Sequence, residues 1–552
     1  MTRIDLPVLE NPADAGLALA EPFDLDSYAD QFNESIVPAY RRGVADEEWP
    51  ADIGLARSVI PPGTAAVRDF SHLAPRLPQF VAERCVGCMA CVSSCPDSAI
   101  LATVAPEADL EAALIGFVAE DADLMSAADL RSRFVRTKKY AEVPERNGVP
   151  PGAFGLFIDP AHCKGCGECV EVCAALGHDA LFMTDKVEAT DGSLSTIEQA
   201  AREMSFLRSL PPTPDVYRNE KSLADLMLGE HAFGYVGGAG SCAGCAEGTA
   251  IRMMVAATRQ VYGPDSMGIV ASTGCNSVFG STYPFNPYLV PWTNSLFENA
   301  PAVASGIRLG WDQAGHPERR LWVIGGDGAM YDIGFQALSR MVASGADVNV
   351  LVLDTQVYSN TGGQASTASF GGQVTKLSAF GAAVHGRPEP RKELGRILMA
   401  HGEVYVAQTT PAHLNHFYRS ILEANEFPGP AVVIVYSACM PEHGIADDAA
   451  SRQARLAVDS RAFPLFTYDP RRGERMRDRL SLQGNPAMRE DWSRTPAGEL
   501  VDFLAFARTE GRFAPHFGRG GVPTSEILET QRDRLDAWRT LQELAAIKTQ
   551  AS

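Results

Sequence analysis

An α/β protein is predicted, with a small cysteine-bearing module ahead of a doubly wound domain on a mainly parallel sheet, and three observations predict it. A run of four cysteines occurs at 85–95 and again at 163–173. From about residue 230, short β-branched segments alternate with helical patterns, the order of a parallel sheet covered by helices. One of those segments ends in the turn Gly325-Gly326-Asp327-Gly328.

With 552 residues the chain exceeds one hydrophobic core. Residues 1–78 are rich in Asp, Glu, Pro and Ala, lack a sustained period and carry the turn Pro61-Pro62-Gly63. They read as an extended arm wrapping a partner or the chain itself, or equally as a partly disordered tail. Residues 79–190 form the cysteine module, 191–230 a linker, 231–450 the doubly wound domain and 451–552 a charged extension, helical near 526–547. Acidic residues outnumber basic ones 68 to 48, a net charge of −20, which disfavours nucleic-acid binding. No apolar run reaches the roughly 18 residues of a membrane span, and the first residues lack a signal-peptide core. A cytoplasmic protein without membrane attachment is expected.

The first cysteine run is Cys85-Val-Gly-Cys88-Met-Ala-Cys91-Val-Ser-Ser-Cys95-Pro96, and Cys163-Lys-Gly-Cys166-Gly-Glu-Cys169-Val-Glu-Val-Cys173 repeats it. This is the spacing of a bacterial two-cluster 4Fe-4S ferredoxin, in which the fourth cysteine of each run serves the other cluster. Cys85, Cys88, Cys91 and Cys173 would hold one cluster and Cys163, Cys166, Cys169 and Cys95 the other. A zinc ribbon also uses paired C-x-x-C motifs, but not this four-cysteine run twice. Such grouped spacings in a large cytosolic chain argue against disulfides. The second run has Ala174 where proline is usual, and an insertion separates the runs. Within it, Arg131, Arg133, Arg136, Lys138 and Lys139 form a basic stretch, read either as a solvated face or as a docking site for an acidic electron acceptor.

Strands are expected at 267–272, 320–324, 348–354, 403–408 and 431–436, with a helix over 332–344 whose apolar face is Ile333, Ala337, Leu338, Met341 and Val342, stopped by Gly345. The turn after 320–324 brings backbone amides and Asp327 to a point suited to a diphosphate and its magnesium. Roughly 28 residues on, the next strand delivers Thr355 and Val357, whose hydroxyl and carbonyl would complete the metal shell. A Gly-Asp-Gly followed at this distance by an oxygen ligand is the general thiamine diphosphate pattern, although most such enzymes have Asn where Thr355 stands.

Two longer strings, Gly-Gly-Asp-Gly-Ala-Met-Tyr331-Asp332-Ile-Gly-Phe335 and Asp354-Thr-Gln-Val-Tyr-Ser-Asn360-Thr361-Gly-Gly-Gln364, closely resemble the pyruvate:ferredoxin (flavodoxin) oxidoreductases, within the 2-oxoacid:ferredoxin oxidoreductase family. Similar to that family as well are Pro62-Gly63-Thr64-Ala65, Pro78-Gln79-Phe80-Val81 and Ser241-Cys242-Ala-Gly-Cys245-Ala-Glu247, so the resemblance runs from about 60 to 550. It implies a ferredoxin-like two-cluster module followed by a thiamine-diphosphate-binding domain. Gly326, Asp327, Gly328, Ala329, Thr355, Val357, Asn360 and Thr361 would contact the cofactor, and Asn360 the substrate.

The resemblance also gives the four remaining cysteines a place, since the family holds a third 4Fe-4S cluster by a C-x-x-C pair and two distant cysteines, matched here by Cys242, Cys245, Cys275 and Cys439. The alternative is four buried structural thiols. The implied reaction is oxidative decarboxylation of a 2-oxoacid, pyruvate first, with coenzyme A giving acetyl-CoA, and electrons leaving through three clusters to ferredoxin or flavodoxin. Relatives act on 2-oxoglutarate and other 2-oxoacids. A non-oxidative thiamine decarboxylase and a non-catalytic electron-transfer subunit are the competing classes. The domain offering a glutamate to the aminopyrimidine ring is expected in a second subunit, giving an α2β2 heteromer.

Overall fold

The computed structural model describes residues 25–48, 60–119, 125–189, 194–229, 233–378, 385–518 and 520–547. Much of the expected arm, at 1–24 and 49–59, and the linker positions 191–193 and 230 lie outside the described residues. Between 25 and 48 the arm is mostly helical, not extended. Leu25–Gln31, Phe32–Ile36 and Val37–Arg42 follow one another, and Tyr28, Phe32, Ile36 and Val37 form an apolar cluster with Phe285. Spacing of four residues between Tyr28, Phe32 and Ile36 is the helical period in a stretch too short to stand out.

Five strands build the cysteine module: β1 (Arg76–Phe80), β2 (Ile100–Pro106), β3 (Phe134–Arg136), β4 (Gly152–Ile158) and β5 (Leu181–Asp185). β1 pairs antiparallel with β5, and β2, β4 and β3 form a second sheet in that order. The expected linker contains a helix, Thr196–Ser209, opened by a capping box between Ser195 and Glu198. Its Phe206 meets the ring edges of Phe117 and Phe134, so this segment is part of the module. The basic stretch in the insertion is largely neutralised. Arg131 pairs with Glu111, Arg133 with Glu203, Arg136 with Glu107 and Glu145, and Lys139 with Asp225.

The doubly wound domain has an eight-stranded sheet made of β6 (Met267–Ser272), β7 (Trp292–Ser295), β8 (Arg320–Gly326), β9 (Asn349–Asp354), β10 (Tyr405–Thr409), β11 (Ala431–Tyr436), β12 (Phe466–Tyr468) and β13 (Leu480–Ser481). The order is β13-β12-β10-β11-β9-β8-β6-β7, parallel from β7 to β10 and antiparallel at β12 and β13. The last two lie within 451–552, a stretch expected to form a helical extension. They are edge strands of three and two residues, too short to show alternation. Along β8 and β9 alternate residues divide between two cores: Trp322, Ile324, Leu351 and Leu353 on one face, Leu321, Val323, Val350 and Val352 on the other. Helices therefore cover both faces. The helix expected over 332–344 begins at Phe335 after the turn Gly328–Ile333, burying Leu338, Met341 and Val342 and ending at Gly345 with φ 72°. Ile333 lies before it and is 57% exposed, because the turn points it away from the sheet.

The first of those cores also includes Leu77, Phe80, Leu156 and Phe157, so it runs without a break from the cysteine module into the sheet. Polar ties reinforce the join. Arg252 on the helix Ala246–Tyr262 donates to the carbonyls of Val92 and Ser93 at 2.7 and 2.6 Å, and Glu168 accepts from the backbone N–H groups of Ala450 and Ser451.

Candidate functional site

The two cysteine runs fold alike. Each bends through left-handed residues at matching places, Gly87 and Met89 in the first and Gly165 and Gly167 in the second, and each then enters a helix, Ala90–Ser94 or Glu168–Ala175. Cys85, Cys88, Cys91 and Cys173 line one hollow. Burial pushes the Cys85 thiol up to about 11, and the neighbouring Cys88 and Cys173 add to it. Cys95 joins the second run, raising Cys166 and Cys169 along with Cys163 after burial itself. Backbone N–H groups point at the sulfurs, from Gly87 to Cys85, Ala99 to Cys95 and Ala180 to Cys173, at 3.3–3.4 Å. Cys173 thus lies with the first run and Cys95 with the second. Cys242, Cys245, Cys275 and Cys439 form a third group, in which the other three each raise Cys275 after burial. Among the described residues no three His, Cys, Asp or Glu groups close on a single-ion position. Sets of four thiols around a hollow suit the separate corners of a cluster.

Lys164 links the second group to the third. Its ammonium donates to Asp97 at 2.6 Å and to the carbonyl and hydroxyl of Ser241 at 2.7 and 2.9 Å, next to Cys242. Cys88 in the first group and Cys242 in the third are exposed, whereas Cys95, Cys163 and Cys169 in the second are buried.

At the carboxyl edge of the parallel strands lies a cleft of about 230 Å³, the edge where ligands bind in such sheets. The loops after β6, β8 and β9 line it with Thr273, Cys275, Gly326, Asp327, Gly328, Ala329, Thr355, Val357, Asn360 and Thr361 among others. Asp327 is 1% exposed, and Thr355 Oγ1 stands 2.9 Å from its Oδ1 and 2.9 Å from the Val357 carbonyl. Ser359 Oγ donates to the same Thr355 oxygen. One hydroxyl proton thus faces two acceptors, a surplus of lone pairs that fits a hard divalent cation. Burial, followed by the nearby Asp354, holds the Asp327 carboxyl well above its usual range, while Ser366 and Thr355 hydrogen bonds lower it. A Cβ on Gly328 would stand 2.7 Å from the Tyr358 ring, so only glycine fits there, and one on Gly326 would meet only the Leu353 carbonyl, at 3.9 Å. The cleft floor is open backbone, as a diphosphate needs. Asn360 and Thr361 are exposed at its mouth.

Three side chains of the site are not among the residues predicted from the sequence. Ser366 donates to Asp327 Oδ2 from a loop that no motif marks. Glu247 and Asn276 line the cleft, and Glu247 Oε2 and Asn276 Oδ1 are buried without a hydrogen-bond partner among the described residues. Burial and then the charge of Asp327 push Glu247 up to about 8. Glu247 lies in a string matched to the family, but only folding reveals that it faces the cleft.

Residues 84–176 match the model of a 4Fe-4S dicluster domain, and residues 272–435 that of the C-terminal TPP binding domain of thiamine pyrophosphate enzymes. A probable pyruvate-flavodoxin oxidoreductase of Escherichia coli is 31% identical over 530 residues, 83% of this chain and 41% of the relative. The pyruvate:ferredoxin oxidoreductase of Moorella thermoacetica is 29% identical over 537 residues, again 83% and 41%. The chain is similar to the cluster- and thiamine-bearing part of the pyruvate:ferredoxin (flavodoxin) oxidoreductases. It spans about two fifths of the length of these relatives. Iron–sulfur clusters and thiamine diphosphate are accordingly the cofactors that its two matched domains bind. Among the described residues no helix is long and apolar enough to cross a membrane.

Proposed function

We propose that this chain works in the oxidative decarboxylation of a 2-oxoacid, pyruvate first, with coenzyme A as acyl acceptor and ferredoxin or flavodoxin as electron acceptor. In that reaction the C1–C2 bond of pyruvate breaks and CO₂ leaves, an acyl–sulfur bond to coenzyme A forms, and two electrons and one proton are released. Bound thiamine diphosphate supplies the carbanion chemistry by which a 2-oxoacid loses CO₂. The observation that carries the reading is Cys275, which lines the cleft beside Asp327 and Thr355 and also belongs to the third thiol group. One residue thus borders both the chemistry and the first step of the electron path.

Asp327, Thr355 Oγ1 and the Val357 carbonyl hold Mg²⁺ in this proposal, and Gly326, Gly328 and Ala329 seat the diphosphate. Asn360 and Thr361, at the mouth, meet the substrate end. The twelve cysteines hold three 4Fe-4S clusters, ordered from Cys242, Cys245, Cys275 and Cys439 through the Cys95, Cys163, Cys166 and Cys169 group to the group that includes the exposed Cys88. The cleft opens beside Phe297 and the well-exposed Leu296 and Ile333, an apolar rim suited to cover by another protein surface. A second subunit carrying the aminopyrimidine-facing glutamate fits there, in a cytoplasmic α2β2 assembly.

Viologen or ferredoxin reduction, measured with a panel of 2-oxoacids and coenzyme A before and after the second subunit is added, tests this reading. Pyruvate-dependent reduction that appears only with the partner is the expected outcome. Preference for 2-oxoglutarate would move the substrate assignment, and turnover by the isolated chain would remove the partner.

A further inference from the structure

Between Thr355, whose hydroxyl meets Asp327, and Val357, whose carbonyl meets that hydroxyl, stands Gln356, fully buried and left-handed, with φ 55°. A residue with a Cβ resists this conformation, which glycine adopts freely. The turn has a geometric consequence. In an extended chain residue 357 would lie about 6–7 Å beyond residue 355, whereas here the Val357 carbonyl folds back to 2.9 Å from Thr355 Oγ1. The Gln356 side chain is clamped from both ends: its Nε2 donates to the Asp354 carbonyl at 2.6 Å and to Asp354 Oδ1 at 2.9 Å, and its Oε1 accepts from Arg512 Nη2 at 3.1 Å. Gln356 does not line the cleft, so its side chain is spent on the turn and not on a ligand.

We propose that Gln356 is a positioning residue for the divalent-cation site: clamped by Asp354 and Arg512, it holds the left-handed turn that sets the Val357 carbonyl against Thr355 Oγ1, the hydroxyl that meets Asp327. This rests on the cation reading given above. Arg512 comes from the segment Gly511–His516, so a part of the chain far downstream of the matched thiamine domain sets that domain's metal geometry.

The test compares Gln356→Ala with Gln356→Gly in the full, iron-loaded chain in the assembly in which it purifies. Manganese(II) is the probe, its affinity in saturating thiamine diphosphate being read from loss of the free-ion EPR signal. Gln356→Ala keeps the Cβ and loses the clamps, and should bind manganese about tenfold more weakly, the size that left-handed strain implies. Gln356→Gly loses the clamps and the strain together, and should stay within about twofold of the parent. Iron content should be unchanged in both. A side chain that only fills space would give the reverse ranking, glycine weaker than alanine; that result, or an unchanged Gln356→Ala, overturns the proposal. If Gln356→Ala does not fold, Gln356→Met is read on the same scale. Asp327→Ala separates the two claims. If it still binds manganese, the cation reading fails and this inference with it; if it loses manganese while Gln356→Ala does not, only the role of Gln356 falls.

Discussion

The cysteine module and the cleft collect their functional groups by opposite routes. In the module, six of eight thiols come from two loops of seven residues, and only Cys95 and Cys173 cross between groups. In the cleft, Thr273, Asp327 and Thr355 come from separate loops that meet because parallel strands end at one edge, and Glu247 is added from the helix Ala246–Tyr262. Local loops write their ligands into spacing. A sheet edge writes them only into topology, so it tolerates sequence change between ligands but depends on every strand keeping its register.

The largest effect should come from removing a cleft group without touching the module. Asp327→Ala is expected to weaken magnesium-dependent thiamine diphosphate binding by more than about a hundredfold, since it removes the one charged oxygen of the set. Calorimetry reads the binding, and iron analysis should be unaltered. Next, Cys439→Ser should take total iron from about twelve to about eight atoms per chain. Cys173→Ser should remove one ferredoxin-type cluster and leave the cleft-side group intact, with EPR telling the two apart. A parent sample at about eight iron atoms would strike the third thiol group from the ligands. A smaller loss is expected from Gly328→Ala, whose new methyl would press on the Tyr358 ring. Overpacking of this kind costs about 1–3 kcal/mol, to be seen as a lowered melting temperature and weaker cofactor binding. The smallest concerns the join between the regions. Glu168→Ala removes the acceptor for the Ala450 and Ser451 N–H groups and should cost about 1 kcal/mol, as other helix caps do. A midpoint unchanged in denaturant would mean that the apolar contact alone holds the halves together.

What could be read in advance follows the same division. The paired cysteine runs and the five central strands of the sheet are visible because short spacing and apolar β-branched segments are local signals. The helix Thr196–Ser209 escapes notice because only Met204, Phe206 and Leu207 mark its buried face, in a stretch rich in charge. Ile333 looks like part of a helical stripe, yet a turn precedes that helix and turns the residue outward. The basic stretch in the insertion reads as a solvated face or a docking site, and its carboxylate partners, among them Glu203 and Asp225, come from far along the chain and leave no local signal. Ser366 and Asn276 carry no motif, and their place beside Asp327 or in the cleft wall depends on how loops converge.

The unbroken apolar core from Leu77 to Val435 has a consequence for engineering and inheritance. A ferredoxin module of this kind is not a plug-in battery that can be cut away and replaced by a free-standing ferredoxin. Severing it would strip one face of the sheet of its cover, and a substitute would have to reproduce Phe157, Lys164 and Glu168 at the seam as well as the cluster ligands. Recombination within this chain should therefore succeed at its outer loops and fail between its two halves.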